Sequence, residues 1–128
     1  MANHWRTSLV APALGRGMQN LKSSVPFGLI AYHSQQASEK AIKAYLVYLD
    51  IDFPYTHDLT VLLKLCPESS GLYESLFGVR LLSLYGVKAR YPQDRPKVDR
   101  KQAMQAVALA ELAFMQVKAA LQEAGFKN

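Results

Sequence analysis

The chain has 128 residues, of which half are hydrophobic and a fifth are charged. This length suits one domain with its own core, and the composition excludes a disordered, collagen-like or low-complexity protein. The 15 Lys and Arg residues outnumber the 10 Asp and Glu residues, so the formal net charge is +5. A basic surplus favours anionic partners but is shared by many enzymes, so it indicates a class of protein rather than an activity.

The single cysteine, Cys66, excludes an internal disulfide and a cysteine-rich metal site. We expect it to be a small apolar residue near a helix end. No uncharged stretch is apolar enough over a sufficient length to predict a membrane span, and the run Leu9–Ala11 is too short for a signal-peptide core. We therefore predict a cytoplasmic protein without membrane association, and no ligand spacing predicts a metal or another cofactor.

The predicted elements begin with the least regular part of the chain. Residues 1–26 are interrupted by prolines and glycines, so we expect an irregular segment or one short first helix after Pro12. From Phe27 to Asp50 the spacing predicts a long helix. Its core-facing stripe is predicted to comprise Phe27, Ile30, Ser34, Ala37, Ala41, Ala44 and Tyr48.

Three further helices follow in the prediction. Thr56 is expected to cap a short helix from His57 to about Cys66. The stretch 72–89 is predicted to be a helix with an apolar face formed by Leu72, Leu76, Val79 and Leu82, widened by Tyr73, Phe77, Leu81 and Leu84. Asp99 and Gln102 have the spacing of a capping box at the start of a long last helix, and Gly125 is its natural stop.

These elements predict an all-α fold: an up-and-down four-helix bundle with a short additional helix, forming a single domain over residues 1–128. The last helix is predicted to bury a stripe that comprises Ala103, Val107, Ala110, Phe114, Val117 and Leu121.

A polar stripe lies opposite the apolar stripe of the helix after Phe27. It comprises Tyr32, His33, Gln36, Glu39, Lys40 and Lys43. The last four of these recur at spacings of three and four, so they can form hydrogen bonds along the helix. The stripe is either a solvated helix face, part of a subunit interface, or a ligand-binding surface, and the pattern leaves these open.

Most of the positive surplus lies in one segment, residues 88–101. Six cations and two anions give it a net charge of +4, and Tyr91 lies among the basic residues. Arginine binds phosphate oxygens in a bidentate manner and an aromatic ring stacks on a base, so this segment is a candidate phosphate-binding site. A solvated loop whose bases complement a helix dipole is the alternative.

Three stretches together resemble the HEPN family, which is named for nucleotide binding in higher eukaryotes and prokaryotes. They are Ser34–Ala44, with its Gln-Gln-Ala-Ser-Glu-Lys run, then Thr56–Leu59, then Ala89–Pro92 with Arg90 and Tyr91. The resemblance covers roughly residues 28–121. It implies the four-helix bundle, a homodimer, and in many members a pairing with a minimal nucleotidyltransferase as toxin and antitoxin.

Other HEPN proteins are metal-independent endoribonucleases, whose signature is an Arg followed four to six residues later by His. Here no His follows Arg90 in that window, and Arg95 cannot replace a titrating imidazole. Enzyme activity is therefore left open. The weak catalytic candidate is His57, and the predicted ligand-binding residues are Arg90, Tyr91, Arg95, Lys40, Lys43, Gln36 and Glu39.

Three functions compete on this basis. The first is a binding module for nucleotide or RNA phosphate that partners a nucleotidyltransferase in a toxin–antitoxin pair. The second is an endoribonuclease toxin with a non-standard acid–base residue. The third is a module that only docks a partner protein.

Overall fold

The computed structural model describes residues 26–86 and 97–127, and this part of the chain is helical without a β-strand. Its elements are α1 (Phe27–Tyr48), α2 (Leu59–Leu65), a 3-10 turn (Glu68–Ser70), α3 (Leu72–Ser75), a 3-10 helix (Phe77–Gly86) and α4 (Arg100–Glu123). The all-α prediction is confirmed. The predicted first helix lies outside the described residues.

Contacts at the ends of the elements give their directions. The Tyr48 ring at the end of α1 packs edge-on against Phe126, just beyond α4, with centroids 5.4 Å apart, so α1 and α4 run parallel. The side chain of Ser70 lies near Tyr45 late in α1, whereas Gly86 approaches Gln35 early in α1. The stretch from α3 to the end of the 3-10 helix therefore runs antiparallel to both long helices.

The core lies among these elements and is built mainly from leucines. Fully buried large side chains include Ile42, Leu46, Leu59, Leu62, Leu63, Leu72, Leu76 and Leu82. The buried face of α4 is largely alanine, which lets α4 pack closely against α1. Five of the six residues predicted for that face are buried, and Phe114 is half-buried.

Local capping follows the sequence in α4. The Asp99 side chain accepts from the backbone N–H of Gln102 at 2.7 Å, and the Gln102 side chain accepts from the N–H of Asp99 at 3.0 Å. Gly125 adopts φ +105°, a conformation that glycine takes without steric cost. Both the capping box and the glycine stop are confirmed.

The buried face of α1 overlaps the predicted stripe only in part: Ile30, Ser34 and Ala41 are buried as predicted. Gln35, Ser38 and Glu39 are buried, whereas Tyr48 is exposed. The true face is turned by about 80° from the predicted one at 100° per residue. The prediction failed because polar residues were assigned to solvent, whereas here their hydrogen bonds are satisfied inside the protein.

The helix predicted over 72–89 is also corrected. An α-helix ends at Ser75, and a 3-10 helix follows from Phe77 to Gly86. Val79 and Leu82 stay buried, but Phe77, Leu81 and Leu84 are exposed. A 3-10 helix has three residues per turn, so positions three apart align in columns, and the column with Leu81 and Leu84 points away from the core.

Helix α4 passes the length and composition test for a membrane span, with a mean hydropathy of 1.3 over its most apolar window. Every 18-residue window of α4 contains the charged residue Glu111, so the expectation that no uncharged stretch would be long and apolar enough is not contradicted. The window is 44% buried within the bundle. The core helix of a helical bundle passes the same test, so this property does not by itself indicate a membrane.

Cys66 lies at the C-terminal end of α2, as predicted. It is 7% exposed, and its Sγ lies 3.7 Å from the carbonyl oxygen of Leu62. Burial raises the pKa of the Cys66 thiol to about 11. The thiol is therefore protonated at neutral pH and unreactive in the folded chain.

Candidate functional site

The segment between α1 and α2 places His57 outside any helix. Asp58, not Thr56, is the N-cap of α2, since its carboxylate accepts from the N–H of Thr60 at 2.9 Å. Thr56 accepts instead from the N–H of Asp58 at 3.0 Å. His57 thus precedes the cap rather than beginning the helix, which corrects the prediction. From this position its ring contacts α1.

The carboxylate of Glu39 is the centre of a buried polar cluster. Glu39 is only 4% exposed. Its Oε1 accepts from Gln35 Nε2 at 3.0 Å and lies 2.9 Å from His57 Nδ1. Its Oε2 accepts from Lys43 Nζ at 2.8 Å. The cluster therefore joins α1 to the segment before α2 through one charged group.

The charge state of Glu39 follows from these contacts. Burial alone would raise the pKa of the carboxyl group, but the hydrogen bonds from Lys43 and the two other partners outweigh burial and hold the pKa below its ordinary value. Glu39 is therefore ionised at neutral pH. An ionised carboxylate only accepts hydrogen bonds, so His57 Nδ1 carries the proton between them.

Gln35 connects the cluster to the end of the 3-10 helix. Its side chain is fully buried, and its amide also donates to the carbonyl oxygen of His57 at 3.1 Å. Its Oε1 accepts from Gln36 Nε2 at 2.7 Å. A Cβ added at Gly86 would lie 2.7 Å from the Gln35 amide carbon, so only glycine fits at Gly86 without a shift.

Gln35 is a site residue that the sequence prediction omitted, because it lies on the buried side of α1. Its spacing of four from Glu39 was the available signal, since Gln and Glu at i and i+4 can hydrogen-bond along a helix. The partnership with His57 could not be found in this way, because it depends on the path of the chain between α1 and α2.

The second ring nitrogen of His57, Nε2, is the atom of the cluster that can bind a ligand or transfer a proton. With Nδ1 held by Glu39, Nε2 is the nitrogen left for a ligand, and the side chain is 36% exposed. The Tyr55 ring lies edge-on at 5.6 Å between centroids. A histidine oriented by a carboxylate can donate a hydrogen bond to an anion when protonated, or accept a proton when neutral.

A family model described as HEPN domain matches residues 16–120. The chain belongs to the HEPN domain family. The HEPN match begins before the described helices and ends near the end of α4, so it also includes part of the N-terminal segment, beyond the range of the resemblance seen in the sequence. No curated protein and no solved structure matches the chain significantly.

The other predicted site residues of this HEPN domain divide into two groups. Gln36 is half-buried, Lys40 is exposed, and Lys43 lies over the Phe53 ring at 5.6 Å. Arg90, Tyr91 and Arg95 lie outside the described residues. Glu39 joins the site as an internal anchor rather than as an exposed ligand contact. Within residues 26–86 and 97–127, no three His, Cys, Asp or Glu side chains are grouped to hold a metal.

Proposed function

We propose that this HEPN domain binds the phosphate groups of a nucleotide or RNA. The binding site combines His57 and Lys43 of the polar cluster with Lys40 and with the basic segment, residues 88–101. The single observation that carries the proposal is the contact of His57 Nδ1 with Glu39, because it leaves Nε2 of this 36% exposed side chain for a ligand, and Lys43 is bound to the same carboxylate.

The position of Gly86 supports the contribution of the basic segment. Gly86 touches Gln35, whose amide also bonds to Glu39 and to the His57 carbonyl. Arg90 follows Gly86 by only four residues in the sequence. Arg–phosphate pairs are strong and geometrically specific, which makes this arginine the first residue of the basic segment to test.

The biological setting of this proposal follows from the family. We propose that the domain works as a cytoplasmic homodimer and partners a minimal nucleotidyltransferase in a toxin–antitoxin pair. The family membership supports this setting, since such pairings occur among HEPN proteins. A nucleotidyltransferase gene beside the coding sequence is the simplest observation that would support it further.

Direct binding tests the proposal. Fluorescence anisotropy with a labelled single-stranded RNA, and competition by ATP, should show binding at low salt that weakens steeply as salt rises. His57→Ala and Arg90→Ala should each weaken binding by about tenfold. His33→Ala and Lys64→Ala are matched controls on exposed residues outside the site. Absence of binding at low salt, or equal losses in the controls, would contradict the proposal.

Cleavage of RNA is the second candidate function, and the same Glu39–His57 contact favours it. His57 Nε2 would take the proton from a ribose 2′-hydroxyl as that oxygen attacks the phosphorus, and the departing 5′-oxygen would take a proton from water. Glu39 would stabilise the imidazolium that forms. RNA incubated with the protein and EDTA should then be cut, and His57→Ala should abolish cleavage. Intact RNA would contradict cleavage, and phosphate binding would then be the only function proposed.

A further inference from the structure

Tyr55 is the most exposed large apolar side chain among the described residues. It is 88% exposed, whereas the next in order, Val47, is 66% exposed. Single exposed apolar residues are common on soluble proteins, so exposure alone indicates no function. The position of Tyr55 is informative, because it lies between α1 and α2, two residues before His57.

The backbone on both sides of Tyr55 is held in place by packing and hydrogen bonds. On one side, Phe53 packs against the hydrophobic core of the bundle. On the other side, the His57 carbonyl oxygen accepts from Gln35 Nε2 at 3.1 Å. Pro54, directly before Tyr55, restricts a further backbone dihedral angle. The tyrosine is therefore positioned in advance, and little ordering entropy is lost when a ligand contacts its ring.

The Tyr55 ring lies beside the side chain to which the proposed function assigns a phosphate. Its centroid is 5.6 Å from that of the His57 ring, and the two ring planes are inclined at 72°. An edge-on contact of this kind does not cover both faces of the tyrosine ring. A flat aromatic surface thus adjoins the histidine, which shares the carboxylate of Glu39 with Lys43.

These two kinds of group match the two ends of a nucleotide, in which one ribose joins a flat base to a phosphate. Proteins that bind single strands combine cationic groups for the backbone with aromatic rings on which bases stack. Stacking on a side chain requires a base that is free of its neighbours, as in the single-stranded parts of an RNA. The arrangement therefore favours a ligand with an unpaired base.

We infer that Tyr55 is a stacking platform for an unpaired nucleobase whose phosphate is bound at His57. The base belongs to a free nucleotide or to a single-stranded RNA, which offer the same chemistry. The inference rests on the proposed phosphate binding and adds a selectivity to it. A ligand with a base binds more tightly than a polyphosphate without one, and the aromatic ring of Tyr55 is required rather than its hydroxyl group.

Isothermal titration calorimetry with three probes tests this selectivity: ATP, a short single-stranded RNA, and inorganic triphosphate, which has no base. The unchanged protein should bind ATP about tenfold more tightly than triphosphate, because the base adds a stacking contact. Tyr55→Ala should weaken the binding of ATP and RNA about tenfold and leave triphosphate binding unchanged. A loss for RNA alone would assign the platform to a strand, and a loss for ATP alone would assign it to a free nucleotide.

Two control variants separate stacking from other effects of the substitution. Tyr55→Phe keeps the ring without the hydroxyl group and should bind all three probes like the unchanged protein. Phe77→Ala removes a 45% exposed ring from the 3-10 helix, which is not part of the site, and should also leave binding unchanged. Circular dichroism checks that each variant keeps its helices.

Tyr55→Trp gives a direct signal of stacking. ATP should quench the indole emission of this variant, and triphosphate should not. The chain has one tryptophan of its own, Trp5, so the unchanged protein measures the background.

Three results would overturn the inference. In the first, Tyr55→Ala binds ATP and RNA as tightly as the unchanged protein does. In the second, Tyr55→Ala loses triphosphate binding to the same extent, which would show that the ring only supports His57. In the third, the unchanged protein binds ATP and triphosphate equally, which refutes the platform but keeps the proposed phosphate binding. A protein that binds none of the probes refutes both proposals.

Discussion

The two sides of the bundle use polar and apolar residues in opposite ways. Beside α1, the charged side chain of Glu39 is buried and each of its oxygens is hydrogen-bonded. On the 3-10 helix, by contrast, Leu81 and Leu84 are 57% and 62% exposed. The first side uses its polar groups to fix the position of one histidine, whereas the second leaves large apolar side chains exposed.

The largest change in the free energy of unfolding is expected for truncation of a buried leucine of the 3-10 helix, compared with an exposed leucine of the same helix. Leu82 is 1% exposed and Leu84 is 62% exposed, although they are two residues apart. Leu82→Ala should lower the free energy of unfolding by about 2–5 kcal/mol, since it leaves a cavity. Leu84→Ala should change it by less than about 0.5 kcal/mol. Urea denaturation measures both, and equal losses would show that Leu84 also lies in the core.

Substitutions of two glycines in the same 3-10 helix compare a position packed against the polar cluster with one that has space for a side chain. Gly86→Ala places a methyl group against the buried amide of Gln35, which should destabilise the chain by about 1–3 kcal/mol and weaken RNA binding. Gly78→Ala is the matched control. Its new methyl group meets only Leu109 at an ordinary contact distance, so stability should be unchanged or slightly higher. Thermal unfolding should separate the two variants, and the reverse order would contradict the described approach of Gly86 to Gln35.

The pH dependence of stability should report on the buried carboxylate. Because the folded-state pKa of Glu39 is lowered from 4.5, its contribution is fully present above pH 4.5 and is lost as pH falls through the lower folded value. Glu39→Gln should remove about 1–2 kcal/mol at neutral pH and flatten the acid limb of the stability curve. Glu74→Gln, at an exposed position, should leave that limb unchanged. Chemical denaturation between pH 3 and pH 7 distinguishes these outcomes.

The smallest expected effect concerns the cap that follows His57. Asp58→Ala should cost about 1 kcal/mol, because it removes the acceptor for the N–H of Thr60. Thr56→Ala should cost less, since Thr56 bonds only within the turn. Thermal unfolding measures both. A larger loss for Thr56→Ala would restore Thr56 as the helix cap and place His57 in the helix.

How much could be predicted from the sequence depended on the range of each interaction. Asp99, Gln102 and Gly125 act within a few residues of themselves, so the start and the stop of α4 were predictable. The cluster around Glu39 was only partly predictable. The Lys43 pair lies at i and i+4, but the His57 contact spans 18 residues of chain.

The 3-10 helix illustrates a different limit. Leu72, Leu76, Val79 and Leu82 fit an apolar stripe in either helix type, so their burial was predicted well. Leu81 and Leu84 were assigned to the core because an α-helical repeat was assumed. The change to three residues per turn moves them to the outside, and periodicity over a stretch this short does not separate the two repeats.

The rate at which a reagent labels the Cys66 thiol can be used to measure local opening of the bundle. Cys66 is the only cysteine in the chain, and its thiol is buried and protonated. A thiol reagent can modify it only when α2 opens from the bundle, so the labelling rate reports the opening equilibrium of that helix. Since α2 begins directly after His57 and Asp58, the same rate would show whether an occupied phosphate site slows the opening of the neighbouring core.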